Sequence, residues 1–315
     1  MRLLMMGTGP FGVPTFRRLY GSGHAVAALV TGPQKPGRRP QPPSPLRQIA
    51  AEHGTPIYDP ESVNTDDARQ RLRQFGAELL VVCDFGQILS AETLATARLG
   101  GLNLHGSLLP KYRGAAPINW AVYHGDTETG VSVIHMTPQV DAGPVIAQGG
   151  LSIGPDETAA ELEPRLAELG AGLMLEAIDA LARGGAQPVP QDKSLASKAP
   201  RIQKSDGLID WSRPAAAIKN QVRAMQPWPT AYTFWHRVDG PPLRLIVGPV
   251  AVVEGSPSGA PPGTVLEADG DRLVVAAGER AVALEAVQPA GKRLLSIGEF
   301  LRGYRVQPGD RLGPE

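Results

Sequence analysis

Four short apolar runs in the first third of the chain limit its fold more than any other feature: RLLMM at 2–6, AVAALV at 25–30, AELLVV at 77–82 and GLNL at 101–104. Helical candidates near 11–20, 45–53, 66–75 and 91–97 lie between or just before them. Strand–helix alternation at this spacing predicts an α/β fold, a Rossmann-like mostly parallel sheet with helices on both faces. Beyond residue 130 the pattern changes. GVSVIHM at 130–136 and PVIAQGGLSI at 144–153 read as two strands joined by a short loop. A long amphipathic helix follows around 158–183, with Leu162, Leu166, Leu169, Leu173 and Ile178 at helical spacing.

Gly184-Gly185 ends that helix, and residues 186–206 have the Pro, Ser, Lys and Gln composition of a linker. At 315 residues two domains are expected. The division read from the sequence is a catalytic domain over 1–190, a linker over 191–206 and a C-terminal domain over 207–315. The last of these opens on a helix, PAAAIKNQVRAM at 214–225, and continues as short strands near 230–237, 243–252, 263–268, 271–276 and 280–287. Short strands separated by Gly/Pro turns predict a small OB-like β-barrel. The segment 33–45, PQKPGRRPQPPSP, is too rich in proline for helix or strand and reads as an exposed loop.

No apolar run approaches the ~20 residues that span a bilayer, and the first residues lack the pattern of a secretory signal. A soluble, cytoplasmic protein with no membrane partner is expected, and a monomer by default. Cys83 is the only cysteine, which excludes an internal disulfide and a thiolate cluster; its setting, VVCDF, is that of a small packed hydrophobe. The net charge of +0 removes the simplest global argument for nucleic-acid binding. The distribution is uneven, however. Residues 1–51 contain Arg2, Arg17, Arg18, Lys35, Arg38, Arg39 and Arg47 and no acid, which is either chance or a locally positive face for phosphates.

Gly7-Thr8-Gly9-Pro10-Phe11-Gly12 after the first strand matches G-x-G-x-x-G. A dinucleotide site also needs an acid about 20 residues later for the ribose hydroxyls. The first acid in the chain is Glu52, so NAD and FAD are excluded, and the glycines are expected to permit close backbone approach.

The chemistry concentrates in LNLHGSLLPKYRG at 102–114. Alternate residues of a strand share a face, so Asn103 and His105 project together at the carboxyl edge of the sheet, where open α/β sheets bind ligands. An amide and an imidazole side by side can donate to one developing oxyanion, and a carboxylate close by can set their protonation. Asp141, in QVDAG after the strand VSVIHM, is the best-placed acid. Each residue alone also has an ordinary structural explanation, a core histidine or a turn aspartate.

The run LNLHGSLLPKYRGAAPINWAVYHGDTETGVSVIHMTPQVDAGPVIAQ closely resembles the core of the formyltransferases that use 10-formyltetrahydrofolate. Within that superfamily HGSLLPKYRGAAPINWA looks most like the members acting on methionyl-tRNA, and MGTGPFG, LIDWS, QPWPTAY, VQPAGKR and PGDRLG extend the likeness over nearly the whole chain. The resemblance implies a one-carbon group transferase that moves the formyl group of 10-formyltetrahydrofolate to the α-amine of methionyl-initiator-tRNA, for translation initiation. It implies Asn103, His105 and Asp141 as the catalytic residues, and Ser107, Leu108, Leu109 and Pro110 as the SLLP loop that cradles the folate. The loop CDFGQILS suits the pterin, with Phe85, Gln87, Ile88 and Leu89 as its contacts, although the family form begins AYG. No metal is implied.

The partner implied is a charged initiator tRNA, met by Lys35, Arg38 and Arg39 of the basic loop and by Lys204 of the linker. The barrel is expected to bind RNA through one face. The rival reading is a folate-dependent formyltransferase acting on a small amine, such as an amino-sugar nucleotide or glycinamide ribonucleotide, which shares the Asn-His-Asp core. LIDWS, QPWP and VQPAGKR in a C-terminal barrel, and HGSLLP in place of HPSLLP, favour tRNA. Hydrolysis of the formyl donor and an RNA-binding module without catalysis are the remaining alternatives.

Overall fold

The computed structural model describes residues 1–33, 44–237, 240–254 and 259–315. Lys35, Arg38 and Arg39 lie outside the described residues. The chain begins β1 (Arg2–Gly7), α1 (Val13–Tyr20), β2 (Ala25–Val30), α2 (Pro45–Glu52), β3 (Ile57–Tyr58), α3 (Asp66–Gln74) and β4 (Leu79–Cys83). It continues α4 (Ala91–Leu94), β5 (Gly101–His105), β6 (Arg113–Gly114), α5 (Pro117–His124), β7 (Glu128–His135), β8 (Val145–Ser152), α6 (Ala159–Ala182) and β9 (Lys198–Ala199). Seven strands form one sheet in the order β3-β2-β1-β4-β5-β7-β8, with the first five parallel and β7 and β8 antiparallel. This is the Rossmann-like arrangement that the alternation predicts. The order reverses beside β1, so the carboxyl ends of β1 and β4 flank the crevice where such sheets open to ligands.

Both faces of the sheet are covered, which is why its central strands read as unbroken apolar runs. On one face Leu4, Met6, Ala28, Val30, Leu80 and Val82 pack with Leu72 and Phe75 at the end of α3 and with Leu94 of α4. On the other, Gly12 rests against Met5, and Gly170 of α6 lies directly on Leu104 of β5. The glycine motif is used for packing. A Cβ on Gly7 would sit 2.8 Å from the Cys83 carbonyl oxygen, and one on Gly9 would fall inside the Asp84 carboxylate. Cys83 is fully buried, and burial pushes its thiol up to about 12, as an inert packed side chain requires.

Three of the early basic residues are engaged within the fold. Arg18 pairs with Glu168 of α6, Arg47 with Asp59 at 2.6 Å, and Arg2 donates to the Phe75 carbonyl at 2.6 Å. These three are therefore structural, and they do not form a phosphate face.

Contacts divide the chain into two compact units. One comprises residues 1–117, 128–152 and 162–200, the other 118–127, 153–161 and 201–315. The second unit holds α7 (Ala215–Ala224), β10 (Tyr232–His236), β11 (Leu243–Val247), β12 (Val250–Val253), β13 (Val265–Asp269) and β14 (Arg272–Ala276). It ends with β15 (Ala281–Leu284), β16 (Ala286–Pro289), β17 (Leu295–Ser296), α8 (Ile297–Gly303) and β18 (Arg311–Gly313). Its two antiparallel sheets, β17-β16-β11-β10-β18 and β12-β15-β14-β13, enclose one apolar core with Ile218, Val222 and Phe300. A Thr264–Arg311 bridge ties them together at one side, giving a small barrel-like domain. The single strand expected over 243–252 is two strands. Pro249 has no N–H for the ladder, and Gly248 turns the chain with its N–H on the Ala286 carbonyl at 2.8 Å. Buried Trp211 satisfies its indole N–H on Thr233 Oγ1 at 3.0 Å.

Candidate active site

Strand β5 ends on the two residues that the sequence singled out. Asn103 lies opposite Ile134 and His105 opposite Ser132 in the antiparallel pairing with β7, so both side chains emerge on one face at the sheet's carboxyl edge. Asp141 reaches them from the loop between β7 and β8. Its Oδ1 accepts from Asn103 Nδ2 at 3.4 Å, and its Oδ2 lies 3.5 Å from His105 Nδ1. The side chains of His105 and Asp141 are only 6% and 12% exposed, so their interaction is weakly screened by water. The structure thus brings together three residues that span 38 positions of sequence.

Two backbone groups complete this centre, and sequence reasoning missed both. The Gly114 N–H donates to Asp141 Oδ2 at 2.9 Å. The Tyr112 carbonyl lies 2.9 Å from His105 Nε2, and because a carbonyl can only accept, Nε2 carries the proton. Nδ1 is then the ring nitrogen turned toward Asp141.

The SLLP loop is pinned from beneath. Ser132 Oγ accepts from the Leu109 N–H at 3.0 Å and donates to the Ser107 carbonyl at 2.6 Å. Gln148 Nε2 bridges the Leu109 carbonyl at 2.9 Å and Ser132 Oγ at 2.8 Å. Ser107 and Leu109 are buried, Ser107 Oγ donates to the Lys111 carbonyl at 2.6 Å, and Leu108 lies on Gly130 and Gly150 of the neighbouring strands. Leu108 and Pro110 remain partly exposed. The loop is therefore a rigid wall with an apolar rim, the kind of surface a planar heterocycle needs.

The 83–90 segment is less direct. Phe85 and Leu89 are packed in the core, and Gln87 Oε1 accepts from the Val63 N–H at 3.0 Å, while Ile88 is 65% exposed. Of the four, Ile88 alone turns its side chain largely to solvent. Asp84 stands at the crevice in a left-handed backbone conformation. It is exposed on one side, yet its carboxylate is crowded over Gly9, and this desolvation raises its pKa. Glu163 of α6 is raised as well, by burial first and by the charge of Asp84 second. Lys204 is exposed in a 3-10 turn of the second unit. Among the described residues no group of three or more His, Cys, Asp or Glu could hold a metal ion, and no helix is long and apolar enough to cross a membrane.

Known proteins share this architecture and sequence. Residues 1–178 match the sequence profile of the formyl transferase family, and residues 201–305 that of the formyl transferase C-terminal domain. A methionyl-tRNA formyltransferase of Rhodopirellula baltica is 43% identical over 327 residues, covering 99% of this chain and 96% of the relative. One of Citrifermentans bemidjiense is 42% identical over 315 residues, with coverage of 99% and 96%. Among solved structures, the sugar 3N-formyl transferase WlaRD, crystallised in the presence of dTDP and 5-N-formyl-THF, superposes with a TM-score of 0.65. That match covers 93% of this chain and 99% of WlaRD at 16% identity, a likeness of fold alone. The chain belongs to the formyl transferase family, in its methionyl-tRNA formyltransferase branch.

Proposed function

We propose that this protein transfers the formyl group of 10-formyltetrahydrofolate to the α-amine of methionyl-initiator-tRNA. The observation that carries the reading is the Asp141 carboxylate, fixed by the Gly114 N–H within 3.5 Å of both His105 and Asn103. The full-length likeness to methionyl-tRNA formyltransferases supports tRNA as the source of the amine. The amine forms a bond to the formyl carbon, the bond from that carbon to the folate nitrogen breaks, and the amine proton passes to the departing nitrogen. Asn103 Nδ2 and a protonated His105 Nδ1 donate to the negative charge developing on the formyl oxygen. Asp141 stabilises the imidazolium and takes part in moving the amine proton.

The folate lies against the SLLP loop, whose backbone is held by Ser132 and Gln148, with Leu108, Pro110 and Ile88 as apolar contacts. Charged initiator tRNA is the macromolecular partner, met by Lys204 and by Lys35, Arg38 and Arg39, in a cytoplasmic, monomeric enzyme.

The test is to incubate the protein with 10-formyltetrahydrofolate and, separately, charged initiator tRNA, uncharged initiator tRNA and an amino-sugar nucleotide. Formylation of the charged tRNA alone is expected. Formylation of the sugar alone, or release of formate without transfer, contradicts the reading.

A further inference from the structure

We propose that Gln191 is a positioning residue for Asp141, a role that rests on the formyl-transfer reading above. By composition Gln191 belongs to a linker, and residues 192–198 are exposed, but Gln191 itself is partly buried against the site. Its side-chain amide is fully engaged. Nε2 donates to the Asp141 carbonyl at 2.9 Å and to the Gly143 carbonyl at 2.7 Å. Oε1 accepts from Arg113 Nε at 3.1 Å and Nη2 at 2.7 Å. A guanidinium can only donate, so it fixes which end of the amide is oxygen and turns the NH2 toward the Asp141 loop.

The arrangement closes a ring around Asp141. Arg113 holds the Gln191 oxygen, and Gly114, the next residue, donates its own N–H to the Asp141 carboxylate. The aspartate is thus gripped at its carboxylate by one end of a two-residue strand and at its main-chain carbonyl through the other. Its backbone is left-handed, with φ 49°, a turn conformation that aspartate tolerates, and the grip fixes where that turn presents the carboxylate. Only glycine fits at 114. Its φ is 131°, and a Cβ there would run into the Ala199 carbonyl oxygen of β9. The same stretch adds Ser197, whose Oγ accepts the Tyr112 N–H at 2.9 Å and whose carbonyl accepts the Arg113 N–H at 2.8 Å. Residues 191–199 therefore strap the backbone that presents both the Gly114 donor and the Tyr112 acceptor to the catalytic pair.

Gln191→Glu separates the two halves of this role, because a carboxylate still accepts from Arg113 but cannot donate to the two carbonyls. Gln191→Ala removes both. Asp192→Ala is the control, since Asp192 is exposed and its carboxylate caps the turn at Ser194 in the same segment. For Gln191→Glu and Gln191→Ala, kcat for formyl transfer is expected to fall about 30- to 100-fold, with KM for 10-formyltetrahydrofolate within about twofold of wild type. Hydrogen exchange at the Ala142 amide is expected to quicken while exchange in β4 stays unchanged. Asp192→Ala should move none of these. A kcat within about twofold of wild type, an equal loss in Asp192→Ala, or unaltered exchange at 141–143 overturns the proposal. Should the wild-type protein transfer no formyl group, the functional reading fails, and the exchange data still decide whether Gln191 holds Asp141.

Discussion

Asp141 and Asp84 have the same backbone conformation, with φ 49° and 48°, and both stand near the carboxyl edge of the first sheet. Their partners could hardly differ more. Asp141 accepts from a backbone N–H and an amide and lies 3.5 Å from an imidazole nitrogen. Asp84 has its main-chain carbonyl bonded to the Thr8 N–H and hydroxyl, while its carboxylate is crowded over Gly9 with Glu163 as an electrostatic neighbour. A left-handed aspartate is thus no indication of function, because aspartate tolerates that conformation in ordinary turns. What separates the two carboxylates, among the described residues, is the set of donors aimed at Asp141 and missing from Asp84.

Four changes would break or sharpen that contrast. His105→Ala removes the imidazole beside Asp141 and is expected to lower kcat by about 10³-fold or more, measured by formyl transfer to charged tRNA. Gly114→Ala drives a Cβ into the Ala199 carbonyl at a φ that alanine resists, and withdraws the donor from Asp141. It should cost about 2–3 kcal/mol in thermal unfolding and about 10²-fold in kcat. Ser132→Ala removes the hydroxyl that accepts from the buried Leu109 N–H and from Gln148 Nε2, leaving that N–H only the Ser107 carbonyl, and about 0.5–1.5 kcal/mol of stability should be lost. The loosened SLLP loop should raise KM for the folate about tenfold, equivalent to about 1.4 kcal/mol.

Asp84→Asn should have the smallest effect and the opposite sign. An acid whose pKa is raised in the folded state favours the fold when protonated, and that contribution is lost as pH rises through the raised value. At neutral pH the disfavoured charged form of Asp84 opposes folding, so the asparagine variant should melt slightly higher. The gain should vanish as pH falls below the ordinary aspartate value of about 3.9, where both proteins are neutral at this position. It should also bring Glu163 part of the way back toward its usual range, because the charge of Asp84 is the second cause of its shift.

The sheet was legible because covering both faces demands apolar runs, and periodicity reports this directly at RLLMM and AVAALV. Asn103 and His105 were legible because a strand fixes which neighbours share a face, and Asp141 because it follows the next strand in the chain. Tyr112 and Gly114 act through backbone groups, which every residue possesses, so no side-chain pattern could reveal them. Gln191 was hidden for a different reason. Its neighbours are polar and solvated, and linker composition averages away the one residue that turns inward. Phe85, Gln87 and Leu89 illustrate the converse, since residues singled out by a motif turn out to be packed in the core or bonded within the fold. Arg18 and Arg47 looked like part of a phosphate face because their acids, Glu168 and Asp59, come later in the sequence.

The most direct test of the account is Asp141→Asn. The amide keeps the shape of the side chain and an oxygen for the Gly114 N–H, and removes the charge beside His105 together with the second oxygen that accepts from Asn103 Nδ2. The kcat for formylation of charged initiator tRNA should fall about 10³-fold, with KM for 10-formyltetrahydrofolate and affinity for the tRNA within about threefold of wild type. Transfer within about threefold of wild type would contradict the assignment of Asp141 to the chemistry.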